Sequence, residues 1–136
     1  MEKLFNTISV IVGIAGGMLS YMFGAFDVVL ISLIILMAID YVTGIVKGIY
    51  NKRLSSNAGW KGLLKKVMTL CVVALAHVVQ HLLGDNVGLR DIVIMFYIAN
   101  EGLSILENVA EVSTVIPEQL REVLMQLREG KDNDSK

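Results

Sequence analysis

Residues 92–110 form an apolar segment that is long enough to cross a lipid bilayer, yet the segment contains two glutamates. A membrane-spanning helix needs about 20 predominantly apolar residues. A charge at the centre of such a helix costs about 2.5–3.5 kcal/mol on insertion scales. Because Glu101 lies at the midpoint of this segment, its side chain should face protein or water and not lipid.

The strongly polar residues of this segment share one side of the predicted helix. At helical periodicity they fall within one third of the circumference, and the rest of the surface is aliphatic or aromatic. Two interpretations stay open: the polar stripe only hydrogen-bonds to neighbouring helices, or it serves in assembly or lines an aqueous path. The predicted pore or assembly face consists of Asn100, Glu101, Ser104, Glu107 and Asn108.

Three further apolar segments indicate that the whole chain is a membrane protein. The 136 residues are 54% hydrophobic, whereas a soluble domain is about 45–50% apolar even with glycine counted. With a single proline, long uninterrupted helices are favoured. We predict an all-α, multispanning protein of four transmembrane helices, forming a bundle over residues 1–111. The predicted spans are residues 4–23, 28–46, 67–83 and 92–110.

Residues 112–136 are predicted to form a cytoplasmic amphipathic helix and a disordered tail. Pro117 suits the first turn of a helix, and Gly130 is a plausible stop. The helix could lie on the membrane surface or pack against partner copies, because its apolar stripe is too narrow to span. The polar tail, residues 131–136, is expected to be disordered. The stripe consists of Leu120, Val123, Leu124 and Leu127.

A basic stretch, residues 47–66, sets the predicted orientation. It contains six of the twelve cations of the chain and no acid, so the positive-inside rule places it in the cytoplasm. The links at 24–27 and 84–91 are then outside, and both termini are inside. A basic segment can also bind nucleic acid or anionic lipid. Its place between two spans favours membrane lipid and no nucleic acid. The predicted membrane-surface anchors are Lys52, Arg53, Trp60, Lys61, Lys65 and Lys66.

Small residues at four-residue spacing in the first two spans predict close helix contacts. The small-xxx-small pattern lets two backbones approach in lipid. Asp40 lies near the end of the second span, where its carboxylate is interpreted either as the partner of a snorkelling lysine or helix N-terminus, or as part of a helix contact. The predicted helix contacts are Gly13, Gly17, Asp40, Gly44 and Gly48.

The sequence gives no sign of catalysis or of a cofactor. His77 and His81 are one helical turn apart with Asp85 a turn further on, and such a histidine pair can bind a metal. Without a firm third ligand or a zinc framework, we interpret them as polar residues near an interface. No nucleotide-binding loop or nucleophile-base arrangement is present. We therefore predict no metal, no cofactor and no enzymatic activity.

Four segments together resemble the toxin-secretion/phage-lysis holin family, which includes holins of phages and prophages of Gram-positive bacteria and clostridial toxin-release proteins. The segments are residues 40–44, 55–66, 96–108 and 116–117. The resemblance implies a small protein of the bacterial cytoplasmic membrane that accumulates harmlessly and then oligomerises into lesions. Through these lesions a cell-wall hydrolase or a toxin would leave the cytoplasm.

Two other functions remain compatible with the sequence. Four spans and an intramembrane glutamate also suit a small multispan transporter subunit, which would leave the membrane sealed to macromolecules. A non-conducting, antiholin-like regulator would share the same fold without forming a lesion. Growth arrest, substrate flux and delayed lysis, respectively, distinguish the holin, the transporter and the regulator.

Overall fold

The computed structural model describes residues 1–113 and 116–130, and all its regular structure in these ranges is helical. The first four α-helices are long and apolar enough to cross a membrane. The prediction of an all-α chain with four candidate spans and a C-terminal amphipathic helix is therefore confirmed. The predicted disorder of residues 131–136 falls outside the described residues. The helices are α1 (Glu2–Phe23), α2 (Val28–Tyr50), α3 (Ser56–Leu83), a short 3-10 helix (Asp85–Val87), α4 (Leu89–Val112) and α5 (Glu118–Glu129).

Side-chain caps explain where two of the spans begin. Asp27 precedes α2 and accepts a hydrogen bond from the backbone N–H of Leu30 at 3.0 Å. Ser55 precedes α3 in the same way and accepts from the backbone N–H of Ala58 at 3.1 Å. Helix α3 consequently begins well before residue 67, where the sequence predicts the span to start. The charges of the basic stretch argue against burial in hydrocarbon, but they do not prevent helix formation.

Helices α2 and α4 lie parallel and share the most extensive interface in the described structure. Their starts are joined by Arg90 and Asp27, and their ends by an ion pair of 2.9 Å between Lys47 Nζ and Glu111 Oε1. Helix α3 packs against both, whereas α1 packs along α3 and reaches the rest of the bundle through its last residue, Phe23. The buried apolar core is contributed by α2, α3 and α4. Its members are Leu30, Leu33, Met37, Val73 and Ile94.

The outer surface of the bundle is apolar, as expected for a protein whose solvent is lipid. Ile11, Leu75 and Ile92 are 61%, 61% and 64% exposed, respectively, and no residue of α1 is buried. In water such a surface would be unstable, but in a bilayer it contacts acyl chains while each helix satisfies its own backbone hydrogen bonds. The protein is therefore described as a multi-pass membrane protein.

Helix α5 folds back along α4 of the same chain. A Cβ atom placed on Gly102 would lie only 2.9 Å from Leu124 Cδ2. The leucine side chain therefore packs directly against the α4 backbone at this glycine. Gly130 then ends α5 in the left-handed conformation, with φ of 65°. The sequence suggests packing on the membrane surface or on partner copies. The structure adds a contact within the chain, in which Leu124 fits a groove at Gly102 that periodicity alone does not reveal. Leu120, Val123 and Leu127 stay exposed, so packing on the membrane surface or on partner copies remains a prediction.

At the end of the bundle opposite the basic stretch, the buried Arg90 side chain ties three segments together. Its Nε donates to the carbonyl of Phe23 at 2.6 Å, its Nη2 to the carbonyl of Ala25 at 2.9 Å, and its Nη1 to Asp27 Oδ2 at 2.9 Å. Nη1 also reaches Asp91 Oδ1 at 2.9 Å. The link between α1 and α2 is thereby fixed to the first turn of α4. The hydrogen bond from Arg90 holds the pKa of the Asp27 carboxyl below its ordinary value.

Replacing Arg90 by methionine should strongly destabilise the bundle. The variant leaves two backbone carbonyls and the Asp27 carboxylate without their donor, and breaking a buried ion pair from one side costs about 3–5 kcal/mol. Unfolding by SDS titration in mixed micelles, followed by far-UV circular dichroism, measures the loss. Lys61→Met is the matched control, because Lys61 is exposed. Equal midpoints for the two variants would contradict the role assigned to Arg90.

The ion pair of Asp27 should make stability depend on pH with a defined sign. Its pKa is lower in the folded protein, so its contribution is complete above the unfolded value, about 3.9, and is lost as the pH falls through the folded value. The stability difference between the natural chain and Asp27→Asn should thus be largest at neutral pH and shrink on acidification. Asparagine keeps the helix cap. A difference that stays constant on acidification would argue against this interaction.

Candidate functional site

One lysine and two carboxylates from three different helices meet inside the bundle. Lys66 Nζ of α3 lies 2.8 Å from Asp40 Oδ2 of α2 and 2.6 Å from Glu101 Oε2 of α4. The three side chains are only 13%, 17% and 13% exposed, respectively. These residues form what is called here the Lys66 cluster. It fixes the mutual positions of α2, α3 and α4.

Asn108 extends the Lys66 cluster toward the basic end of the bundle. Its buried side-chain amide donates to Asp40 Oδ1 at 3.1 Å and to Thr43 Oγ1 at 3.1 Å. The hydroxyl of Thr43 in turn donates to the backbone carbonyl of Asp40 at 3.0 Å. Gly44 lies against the Asn108 amide, since a Cβ there would be 3.7 Å from Nδ2. Asp40 is therefore held by the Lys66 ammonium group and the Asn108 amide.

The charges of the Lys66 cluster do not balance. Two carboxylates share one ammonium group, so with every group ionised the cluster carries one excess negative charge. Removing charges from water costs several kcal/mol per ion, and a pair recovers this only when its geometry is good. With every group ionised, contact with water would therefore stabilise the net charge of the Lys66 cluster more than the interior of the bundle does.

The polar residues of α4 do not all share one environment. Glu101 and Asn108 point into the bundle, whereas Glu107 is exposed and lines an open cavity of about 510 Å³ between α4 and α5. Arg121 of α5 lines the same cavity. Asn100 and Ser104 are half-buried. The stripe predicted from periodicity is therefore divided between an internal cluster and a groove that α5 partly covers.

Five of the six predicted membrane-surface anchors are exposed at the end of the bundle where α2 stops and α3 begins, and their contact with headgroups remains a prediction. Lys66 differs, because its ammonium group faces Asp40 and Glu101 inside the bundle. The sequence analysis misplaces it because α3 is already helical at residue 66, which shares the face of the buried Val73, seven positions further on. The exposed anchors are Lys52, Arg53, Trp60, Lys61 and Lys65.

The predicted glycine contacts fall into two groups. Gly44 and Gly48 of α2 lie against Asn108 and Leu54 of the same chain. Gly13 and Gly17 of α1 have no atom within 4 Å of the position that a Cβ would occupy. Contacts within the described chain therefore leave the glycine face of α1 uncovered, and its use in assembly remains a prediction.

The histidines of α3 do not build a metal centre in the described ranges. His81 Nδ1 lies 3.8 Å from Asp85 Oδ1, and His77 lies beside Gly24 and Arg90. Within residues 1–113 and 116–130, no group of three or more potential ligands converges. What this end of the molecule adds is Arg90, which the sequence analysis does not single out within the link at 84–91. The sequence signal for its contact with Asp27 is a cation at the start of one span and an acid at the start of another.

Comparison with known proteins identifies the family. The profile of the bacteriophage holin family matches residues 17–129. An uncharacterized 14.9 kDa protein of Clostridium perfringens is 39% identical over 132 residues, which cover 96% of this chain and 100% of that protein. A probable holin of Bacillus phage phi105 is 36% identical over 104 residues, or 76% of each chain. The chain belongs to the bacteriophage holin family.

A further relative extends the same comparison to another genus. An uncharacterized protein of Listeria monocytogenes is 36% identical over 121 residues, which cover 88% of this chain and 86% of that protein. No solved structure matches the chain. Membership of this family suggests a non-enzymatic membrane protein.

Replacing Lys66 by methionine should destabilise the bundle far more than replacing its neighbour Lys65. Two carboxylates would be left together without their cation, at a cost of about 3–5 kcal/mol. Adding Glu101→Gln to Lys66→Met should recover part of the loss, because it removes one of the unpaired charges. SDS titration with far-UV circular dichroism compares the three variants. Equal effects of Lys66→Met and Lys65→Met on the unfolding midpoint would refute a stabilising role of the Lys66 cluster.

Proposed function

We propose that the chain is a holin that oligomerises in the bacterial cytoplasmic membrane and forms lesions. A cell-wall hydrolase or a secreted toxin would leave the cytoplasm through them. Membership of the holin family supports this function, and the observation that carries it is the Lys66 cluster. Ionisable groups inside a membrane bundle are costly and commonly mark an aqueous or ionic path.

In the proposed mechanism, the Lys66 cluster keeps a single copy sealed. Lys66 screens both carboxylates, and Asn108 occupies the remaining side of Asp40. Because the cluster holds one excess negative charge, its transfer to water offsets part of the free energy lost when helix contacts open. When many copies associate, the polar side of α4 would line water while the apolar sides remain in contact with lipid or neighbouring copies.

The exposed surface of α1 supports a role for this helix in assembly. No residue of α1 is buried, and Gly13 and Gly17 face no other part of the described chain. A small-xxx-small face in lipid allows two helices to approach closely. Contact between α1 helices of neighbouring copies would leave the core of α2, α3 and α4 intact during accumulation.

The proposed orientation places both termini in the cytoplasm. Exposed cations gather where α2 ends and α3 begins, and the positive-inside rule assigns that end to the cytoplasm. The Arg90 end would then face outward. The cations at the inner end include Lys52, Arg53, Lys61 and Lys65.

Glu101→Gln should delay release or abolish it. The substitution removes the excess charge of the cluster and leaves a neutral Lys66–Asp40 pair. Exposure of the cluster to water then lowers its free energy by less, so the closed bundle opens less readily. The measurement is the time from induction to lysis in bacteria that also express a cytoplasmic cell-wall hydrolase. Glu122→Gln is the control, because Glu122 is exposed on α5. Unchanged timing at equal membrane abundance would count against the mechanism.

The same expression system separates the proposed function from its alternatives. Abrupt growth arrest, with lysis only when the hydrolase is present, is expected of the holin. Continued growth with flux of a defined substrate would identify a transporter subunit. A regulator would be inert alone and would delay lysis by an active holin. The well-satisfied hydrogen bonds of Asp40 and Asn108 favour the regulator as second candidate, because they stabilise a closed state.

A further inference from the structure

A continuous groove with a basic and an apolar compartment lies between the second half of α2 and the first turns of α3. The basic compartment is an open cavity of about 400 Å³. Its wall includes four cationic side chains and three neutral polar ones, at the end of the bundle that carries the exposed cations. The polar and charged lining residues include Lys47, Arg53, Ser55, Lys65, Lys66, Ser104 and Asn108.

The second compartment is an apolar slot of about 380 Å³ that continues from the first. Tyr41, Ile45 and Leu54 line both compartments. Beyond them, Trp60 and Leu63 of α3 complete the slot. Trp60 is 61% exposed, and tryptophan is the side chain most typical of the membrane–water interface. The groove thus has a charged compartment and an apolar compartment, and Trp60 in the apolar compartment suits the membrane–water interface.

Two of the four cations that line the groove already form ion pairs with carboxylates. Lys47 is paired with Glu111, and Lys66 with Asp40 and Glu101. Among the described residues, neither Arg53 nor Lys65 has a carboxylate within ion-pair distance, although the charge of Arg53 also acts on the exposed Glu111. Asp40 also lines the cavity, and its carboxylate oxygens accept hydrogen bonds from Lys66 and from the Asn108 amide. Arg53 and Lys65 are therefore the charges that an anionic ligand would meet.

The start of α3 adds a second attraction for an anion at the same place. Ser55 caps the helix and lines both compartments. The first N–H groups of a helix have no partner within it and present a partial positive charge. Together with the two unpaired cations, this end of α3 favours a phosphate group.

We propose that this groove binds one anionic phospholipid from the cytoplasmic leaflet. The phosphate of the headgroup would lie among Arg53, Lys65 and the start of α3, and part of an acyl chain would lie along Tyr41 and Trp60. Basic pockets between transmembrane helices on the cytoplasmic side are a recognised setting for anionic headgroups. A free phosphate ion would use only the basic compartment, whereas the apolar slot beside it fits a lipid.

Two glycines of α3 keep the groove open. A Cβ on Gly59 would lie 3.3 Å from Tyr41 Oη, and one on Gly62 would lie 4.0 Å from the ring carbons of Tyr41. The absence of side chains at these positions lets the tyrosine ring lie against α3 and form the wall shared by both compartments. The site requires only the closed bundle in a membrane, so it does not depend on lesion formation.

Trp60 is the single tryptophan of the chain, which makes it a direct reporter of the slot. The full-length protein is reconstituted in bilayers that contain a small fraction of either bromo-acyl phosphatidylglycerol or bromo-acyl phosphatidylcholine. Bromine quenches tryptophan only at short range, so quenching reports which lipid occupies the slot. We expect stronger quenching by the anionic lipid at equal mole fraction.

Arg53→Gln and Lys65→Gln should each lower the preference for the anionic lipid by about fivefold, the factor that corresponds to about 1 kcal/mol per surface cation. Lys61→Gln is the matched control, because Lys61 is exposed on the same helix and does not line the groove. It should keep the natural preference. Gly59→Val, which fills the space beside Tyr41, should weaken quenching by both lipids.

Three results would overturn the proposal. Equal quenching by the two lipids would show that the groove does not select an anionic headgroup. A loss of preference in Lys61→Gln as large as in Arg53→Gln would assign the effect to general surface charge. Displacement of the anionic lipid by millimolar inorganic phosphate would assign the basic compartment to a free anion. Retained preference in the presence of phosphate supports a lipid.

Discussion

The contact of one ammonium group with two carboxylates inside the bundle is the interaction on which the rest of the structure depends. Lys66 joins α2 and α4 through Asp40 and Glu101, and each of these charges would be unfavourable in lipid without the others. The cluster therefore fixes both the register of three helices and the direction in which their polar sides face. It also leaves one negative charge in excess, so the arrangement that seals the bundle is one that water would stabilise further.

The ends of the parallel pair α2 and α4 are held in different ways. Arg90 binds two backbone carbonyls and Asp27 at one end, where a rigid link joins α1 to the bundle. At the other end Lys47 and Asn51 hold Glu111 at the surface. The bundle is thus fixed at its Arg90 end and at its middle, while the end that carries Lys47 and Glu111 is joined by exposed contacts. Exposed ion pairs contribute little to stability, so in the proposed mechanism opening would begin at the Lys47–Glu111 end.

Periodicity and hydropathy are sufficient to predict the four spans, the amphipathic helix and the polar side of α4, because those properties depend on local sequence. They do not show which charges meet. Lys66 looks like a surface anchor because periodicity does not show that α3 extends back past residue 66 and packs with the face of Lys66 and Val73 against α2 and α4. Arg90 looks like a loop charge until the parallel packing of α2 and α4 places it beside Asp27. The intramolecular position of α5 depends on Gly102, whose missing side chain admits Leu124.

In the proposed mechanism, the side of α4 that bears Glu101 is shielded from water in a sealed bundle and exposed to water in a lesion. Tyr97 lies on this side and packs against the apolar core, so Tyr97→Cys in a Cys71→Ser background reports its exposure. Liposomes with a water-soluble thiol reagent on both faces can be compared at low and high protein density. We expect slow alkylation at low protein density and rapid alkylation at the density that releases an entrapped protein. Release of that protein while the cysteine at residue 97 stays protected would contradict it.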